Sequence, residues 1–244
     1  MSAFNLKIAG QVARVQALFE STPIFLADYA TDAPADFVIP VFPEDLEREQ
    51  ELRNMEAREE GLRPRKSTGP FLERLVILRK FADHLLTCDT LLLHGSAVAV
   101  DGRGYIFAAP CGVGKSTHTR LYRQVFGDRA MMINDDKPFL RITPSQIFVC
   151  GSPWNGKHGL DTNIEVPLRG ICILERGTVN QIMEATKEDI PFLRKQIWDS
   201  IDPALEEKQR QLTEELLRRI PVWQMQCNME PEAAEVSFFG MSRA

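Results

Sequence analysis

Three short stretches carry residue types that chemistry uses. The first, Ala109-Pro110-Cys111-Gly112-Val113-Gly114-Lys115-Ser116-Thr117, ends in Gly-Lys-Ser-Thr and matches the G-x-x-x-x-G-K-S/T pattern except that Ala109 stands at the first glycine. In such a loop, glycines let backbone N–H groups turn inward around phosphate oxygens, because glycine takes the needed dihedrals at no steric cost. Lys115 is expected to reach the β- and γ-phosphates and the Ser116 hydroxyl to sit on Mg²⁺. The helix that follows adds the positive end of its dipole. Pro110, Cys111, Gly112, Val113, Gly114, Lys115, Ser116 and Thr117 are thus the expected nucleotide-contacting residues. Cys111 is assigned no catalytic role; an exposed thiol there would make the loop sensitive to oxidation.

The second stretch is Asn134-Asp135-Asp136, directly after the apolar run from Ala130 to Ile133. A nucleotide with Mg²⁺ needs a carboxylate for the metal, and a kinase needs one to take the proton of the attacking hydroxyl. One helix and one return strand fit between Lys115 and Asp135, so a right-handed crossover is expected to bring the pair beside the loop. Ser116, Asp135 and Asp136 are the expected metal ligands. The third stretch is Gly151-Ser152-Pro153-Trp154-Asn155-Gly156-Lys157-His158-Gly159. Lys157 is a candidate second cation for the transferring phosphoryl group, and Asn155 or His158 a candidate to orient the acceptor. Trp154 reads either as a substrate contact or as a packing anchor. Arg169, at the start of an apolar strand, is a further candidate substrate contact. The whole segment is expected to close over bound phosphates.

The elements that must position these residues follow from the apolar pattern. Leu91 to Val100 reads as one buried strand, Asp101-Gly102 as a tight turn, and Tyr105 to Ala108 as the strand feeding the glycine-rich loop. Leu121, Tyr122, Val125 and Phe126 mark a helix after that loop. Phe139 to Ile142 and Ile147 to Cys150 pair as a hairpin, Leu168 to Leu174 is another strand, and Val222 to Cys227 a last one. Helices are expected from Lys187 to Ser200 and from Pro203 to Arg219. Upstream, a helix begins after Ser67 or Thr68 with Pro70 in its first turn. Glu44 to Glu60 is dense in charge and reads as an exposed helix or loop, or as a docking surface. The chain divides by this reading into a small N-terminal α+β unit, residues 1–66, and a nucleotide-binding domain, residues 67–244.

Composition bounds the function. The 244 residues carry 29 Lys and Arg against 34 Asp and Glu, a net charge of −5, and 44% are apolar. This is the balance of a folded globular protein and lacks the basic footprint that nucleic acid rewards. No apolar run approaches the ~20 residues that span a bilayer, and the start from Met1 lacks a signal-peptide stretch. No membrane association and a cytoplasmic location are expected. Five cysteines without any C-x-x-C pair argue against a disulfide framework or a zinc site.

Leu93-His94-Gly95-Ser96, the loop from Pro110 to Ser116, and Asp135-Asp136 stand in an order and at spacings that resemble the HPr kinase/phosphorylase family and, more distantly, the phosphoenolpyruvate carboxykinases. The resemblance covers about a third of the chain, roughly residues 90 to 175. It implies an α/β fold with a mixed-sheet P-loop core of the HPr kinase/phosphoenolpyruvate carboxykinase type. It implies that His94, Asp135 and Asp136 form a proton-handling and metal-binding cluster. The expected activity is an ATP- and Mg²⁺-dependent kinase acting on a hydroxyl, a serine of a peptide or protein or a small metabolite, in a chain that can form homo-oligomers. Asn134-Asp135-Asp136-Lys137-Pro138 and the segment from Gly151 to His158 depart from the true HPr kinases, which leaves the acceptor open. The alternative is a catalytically silent nucleotide-binding regulatory or accessory protein.

Overall fold

A computed structural model describes residues 2–59 and 61–242, so Met1, Glu60, Arg243 and Ala244 lie outside it. The chain forms two compact units, Met1–Leu85 and Leu86–Ala244. The division falls some twenty residues beyond the boundary expected at residues 66/67. The helix expected to open the second domain belongs, except for its last residues, to the first unit.

In the first unit, β1 (Ser2–Ile8) and β2 (Gln11–Ala17) form a hairpin, and Ala9 and Gly10 between them both have positive φ, the geometry that matches strand twist in a two-residue turn. A short helix, α1 (Ser21–Phe25), follows; β3 (Phe37–Pro40) then adds parallel to β2. The charge-dense segment is a helix, α2 (Pro43–Glu59), and the next is α3 (Gly69–Thr87). With few apolar residues, α2 is held to α3 by ion pairs. Arg79 Nε lies 2.6 Å from the buried Glu49 carboxylate, and Lys80 Nζ lies 2.6 Å from Asp45.

The second unit runs β4 (Thr90–Leu92), β5 (Ser96–Val100), β6 (Arg103–Ala108), α4 (Lys115–Phe126), β7 (Ala130–Asn134), β8 (Phe139–Ile142), β9 (Ile147–Cys150), β10 (Glu165–Arg176), β11 (Gln181–Glu184), α5 (Ile190–Arg194), α6 (Glu206–Arg219), β12 (Val222–Cys227) and α7 (Glu232–Ser242). Among the described residues its strands make one mixed sheet in the order β4-β8-β9-β10-β6-β5-β7, with β12 also beside β10 and β11 beside β12. The sheet is covered on both faces because its central strands alternate two apolar sets. Val98, Val100, Tyr105, Phe107, Cys172 and Leu174 pack with α4 and α7. Ala97, Ala99, Ile106, Ala108, Ile171 and Ile173 pack with residues of α5 and α6. Period-two alternation sends successive side chains to opposite faces, and burying each large one is worth about 1.5–3 kcal/mol.

Two expectations fail here. The strand expected from Leu91 to Val100 is two strands with different partners. Between them, Leu93, His94 and Gly95 donate their N–H groups to the carbonyls of Pro138, Gln196 and Asp136, at 3.1, 2.7 and 2.9 Å. The helix expected from Lys187 to Ser200 shrinks to α5, because Gln196 O and Trp198 N bond to His94 N and Leu92 O and draw the chain out beside β4. Neither β11 nor α7 was expected from the sequence: β11 is short and polar, and α7 lacks a sharp apolar stripe.

Candidate functional site

The strand β6 ends at Ala108, and from the buried Ala109 the chain turns through Pro110–Gly114 into α4. Gly112 and Gly114 have φ of +79° and +134°, values that a side chain would strain. Gly114 caps α4. The N–H groups of Gly114, Lys115, Ser116 and Thr117 enter no backbone hydrogen bond among the described residues. Four unpaired donors at the start of one helix make a local excess of positive potential. Lys115 Nζ bonds the carbonyl of Ala109 at 2.9 Å. Burial lowers the Lys115 pKa, and the negative charge of Asp136 opposes that shift. The loop lysine and the acidic turn therefore share one electrostatic neighbourhood.

That turn is built by Asn134, fully buried at the end of β7. Its side-chain oxygen accepts from the N–H groups of Asp136 (2.7 Å) and Lys137 (2.5 Å), an Asx turn. Its amide donates to Ser152 O at 2.7 Å and Trp154 O at 3.4 Å, so one side chain fastens the third stretch to the second. Asp136 Oδ1 lies 3.2 Å from His94 Nε2, and Asp136 Oδ2 lies 3.1 Å from Lys137 Nζ. Burial alone would raise the Asp136 pKa. The His94 hydrogen bond and the charges of Lys137 and His94 outweigh it and hold the carboxyl down at about 2.

Asp135 differs from its neighbour. It is 4% exposed, accepts a hydrogen bond from Gly156 N–H, and its Oδ2 has no partner among the described residues. Burial pushes its pKa up. The Gly156 N–H bond pulls against that, the Asp136 charge adds to it, and the backbone and charge of His158 again oppose it, with a net upward shift. A side chain at Gly156 would start 3.3 Å from both Asp135 oxygens, a tight contact that the Asp135 carboxylate would have to yield to by a few tenths of an ångström.

Asp136 thus bonds His94 and acts electrostatically on Lys115, and Gly156 and His158 close on its neighbour Asp135. Lys157 and His158 have exposed side chains, and Asn155 is tied to Asp161. Trp154 is buried, 5% exposed, and serves as the packing anchor. The segment from Gly151 is pinned at Gly151 N to Ile164 O (2.9 Å) and through Asn134, rather than hanging as an open flap. Arg169 is not brought to the site. Leu168 is level with Gly104, at the entry of β6, whereas the glycine-rich loop leaves from its far end, and Arg169 Nη2 bonds Ser242 O at 2.9 Å. The arginine that reaches the loop is Arg176, at the other end of the same strand: it donates to Gly112 O at 2.5 Å and Val113 O at 3.5 Å. Sequence reasoning missed it because nothing in Glu175-Arg176-Gly177 marks a site; only the parallel register of β10 on β6 does.

A cleft of about 390 Å³ opens beside the loop, lined by Val113, Thr117, Leu174, Arg176, Cys227 and Asn228 among others. Larger hollows of about 550 and 520 Å³ lie along α6 and include none of the residues singled out from the sequence. The described residues contain no cluster of three or more His, Cys, Asp or Glu able to hold a metal alone. The donors present still fit a Mg²⁺ ion that keeps phosphate and water oxygens, since such a site asks for only one or two carboxylates. Asp136 is ionised and Asp135 has a free buried oxygen. No helix is long and apolar enough to cross a membrane, among the described residues.

No protein-family model matches the chain, and neither does any curated protein. Among solved structures it is similar to the Hpr(Ser) kinase/phosphatase from Coxiella burnetii, at 13% identity, over 62% of this chain and 95% of that one, with a TM-score of 0.35. At that score the likeness decides neither mechanism nor substrate.

Proposed function

We propose that the chain is a kinase that transfers the γ-phosphoryl group of ATP to a hydroxyl, with Mg²⁺. The observation that supports the reading is the His94–Asp136 pair, whose carboxylate acts electrostatically on Lys115 of a loop with four N–H groups free of backbone partners, next in sequence to the buried Asp135. The loop N–H groups and Lys115 bind and orient the phosphates and neutralise charge as the bond to the bridging oxygen breaks. Ser116, Asp135 and Asp136 would hold Mg²⁺, which supplies charge neutralisation on the β- and γ-oxygens when bound. The acceptor proton goes to the carboxylate pair Asp135–Asp136, with His94 hydrogen-bonded to Asp136. The acceptor oxygen forms the new bond to phosphorus, and ADP leaves. The motif resemblance to HPr kinases makes a serine hydroxyl, in a peptide, a protein or free, the first acceptor class to test.

The experiment is incubation with γ-labelled ATP, Mg²⁺ and a panel of hydroxyl acceptors that includes free serine and serine peptides. Labelled acceptor, absent with Asp136→Asn, is the expected result. ATP binding without turnover on any acceptor would favour the silent regulatory protein, and absence of ATP binding would refute both readings.

A further inference from the structure

Arg176 is exposed and lies at the end of β10, yet its guanidinium takes two successive carbonyls of the glycine-rich loop, those of Gly112 and Val113. The register explains the reach. Ile173 is level with Ala108, the last residue of β6, so Arg176 stands three residues past the strand end, beside the loop. Because a peptide unit is planar and trans, its C=O and N–H point in opposite directions. Holding the Val113 carbonyl on the Arg176 side therefore turns the Gly114 N–H to the other side, and that N–H is the first of the four unpaired donors. Holding the Gly112 carbonyl likewise directs the Val113 N–H away, where it closes the turn on Pro110 O at 3.2 Å. Gly114 has φ of +134°, open to peptide rotation in a way no other residue type is, so this unit needs an external hold.

We propose that Arg176 is a positioning residue for the phosphate-binding loop: its planar fork fixes the Gly112–Val113 and Val113–Gly114 peptides so that the Gly114 N–H faces the phosphates. This inference rests on the function proposed above. A fork that bridges two acceptors is specific to arginine, since a lysine ammonium of the same charge is a single point donor.

The test measures binding of two probes, ATP and inorganic tripolyphosphate, each with Mg²⁺, by calorimetry on the wild type, Arg176→Ala and Arg176→Lys. Thermal melts check that the variants fold. The expected result is a loss of about tenfold or more in both affinities for Arg176→Ala, with Arg176→Lys nearly as weak, since charge-assisted hydrogen bonds of this kind are worth that much. Turnover at saturating ATP should fall far less than affinity, raising KM more than it lowers kcat. Full recovery in Arg176→Lys would overturn the proposal, because charge and not the fork would then be what matters. So would a loss confined to ATP, which would make Arg176 a contact to the nucleoside in the adjoining cleft, and so would unchanged binding. If the wild type bound neither probe, the proposed function would fail first and the role of Arg176 with it.

Discussion

Acidification should separate wild type from a His118→Phe variant in a way that crosses over. His118 follows directly on the glycine-rich loop but points into the core, 2% exposed, edge-on to Phe107 and with Nε2 2.9 Å from Ser237 Oγ. Burial depresses its pKa to about 3 from an ordinary value of 6.5. A folded-state pKa below the unfolded one gives stability that is fully present above pH 6.5 and is lost as pH falls toward 3, because only the unfolded chain takes up the proton in that window. The loss runs at about 1.4 kcal/mol per pH unit and reaches about 3 kcal/mol by pH 4. Phenylalanine has no proton to gain, but it gives up the Ser237 hydrogen bond, worth about 1 kcal/mol. The variant should be the less stable protein at pH 7 and the more stable one below a crossing near pH ~5.8. Urea unfolding of both proteins at intervals from pH 7 to pH 4 reads this directly. The other titrating groups, Asp136 included, are common to both chains and cancel in the difference. A difference that stays constant across that range would refute the buried, neutral histidine.

Lys115→Ala should lower kcat/KM by about 10²-fold or more, since it removes a preorganised charge from the phosphoryl group, and steady-state kinetics with varied ATP would read it. Asp135→Asn and Asp136→Asn should each abolish turnover at saturating Mg²⁺; wild-type rates in both would refute the acidic cluster as the proton and metal site. If the proposed kinase reading holds, Lys157→Ala should lower kcat more than it weakens nucleotide binding, measured by paired kinetics and calorimetry, since a cation that stabilises developing charge acts in the transition state. Trp154→Ala should lower stability by about 3 kcal/mol or more, as loss of a buried indole does, which a denaturant melt would show.

Much of the site was legible because it is local in sequence. The glycines at 112 and 114 announce positive φ, and an Asn before two aspartates at a strand end announces a turn that presents carboxylates. The β6–loop–α4 unit and the β8–β9 hairpin follow from apolar periodicity for the same reason. Illegible features depend on strand register or on competing long-range hydrogen bonds. The break at Leu93–Gly95 exists because Pro138, Gln196 and Asp136 take its N–H groups, and no propensity reports that. The residues after α5 are good helix formers by pattern, yet pairing beside β4 overrides the pattern. The sequence points to Arg169 and not to Arg176; the parallel alignment of β10 with β6 decides which one touches the loop.

Arg169 has a different importance from the one its charge suggested. The pairing of β10 with β6 shifts between Leu168 and Gly170, so Arg169 is the odd residue that resets the strand's alternation partway along. Side chains after it keep the phase that puts Cys172 and Leu174 on the α4 side and Ile171 and Ile173 on the other. Without this extra residue Leu168 and Gly170 would be consecutive and face opposite sides, as their partners Gly104 and Tyr105 do, so the ladder would run regularly with both halves in phase. A residue lost after Gly170 would instead slip the remainder of the strand by one, turning Arg176 away from the glycine-rich loop and exchanging the layers of the apolar side chains. In engineering, a one-residue deletion in β10 is therefore tolerable at Arg169 and not between Gly170 and Arg176: the length of the strand past the bulge works as a phase setting for both the core and the loop at its end.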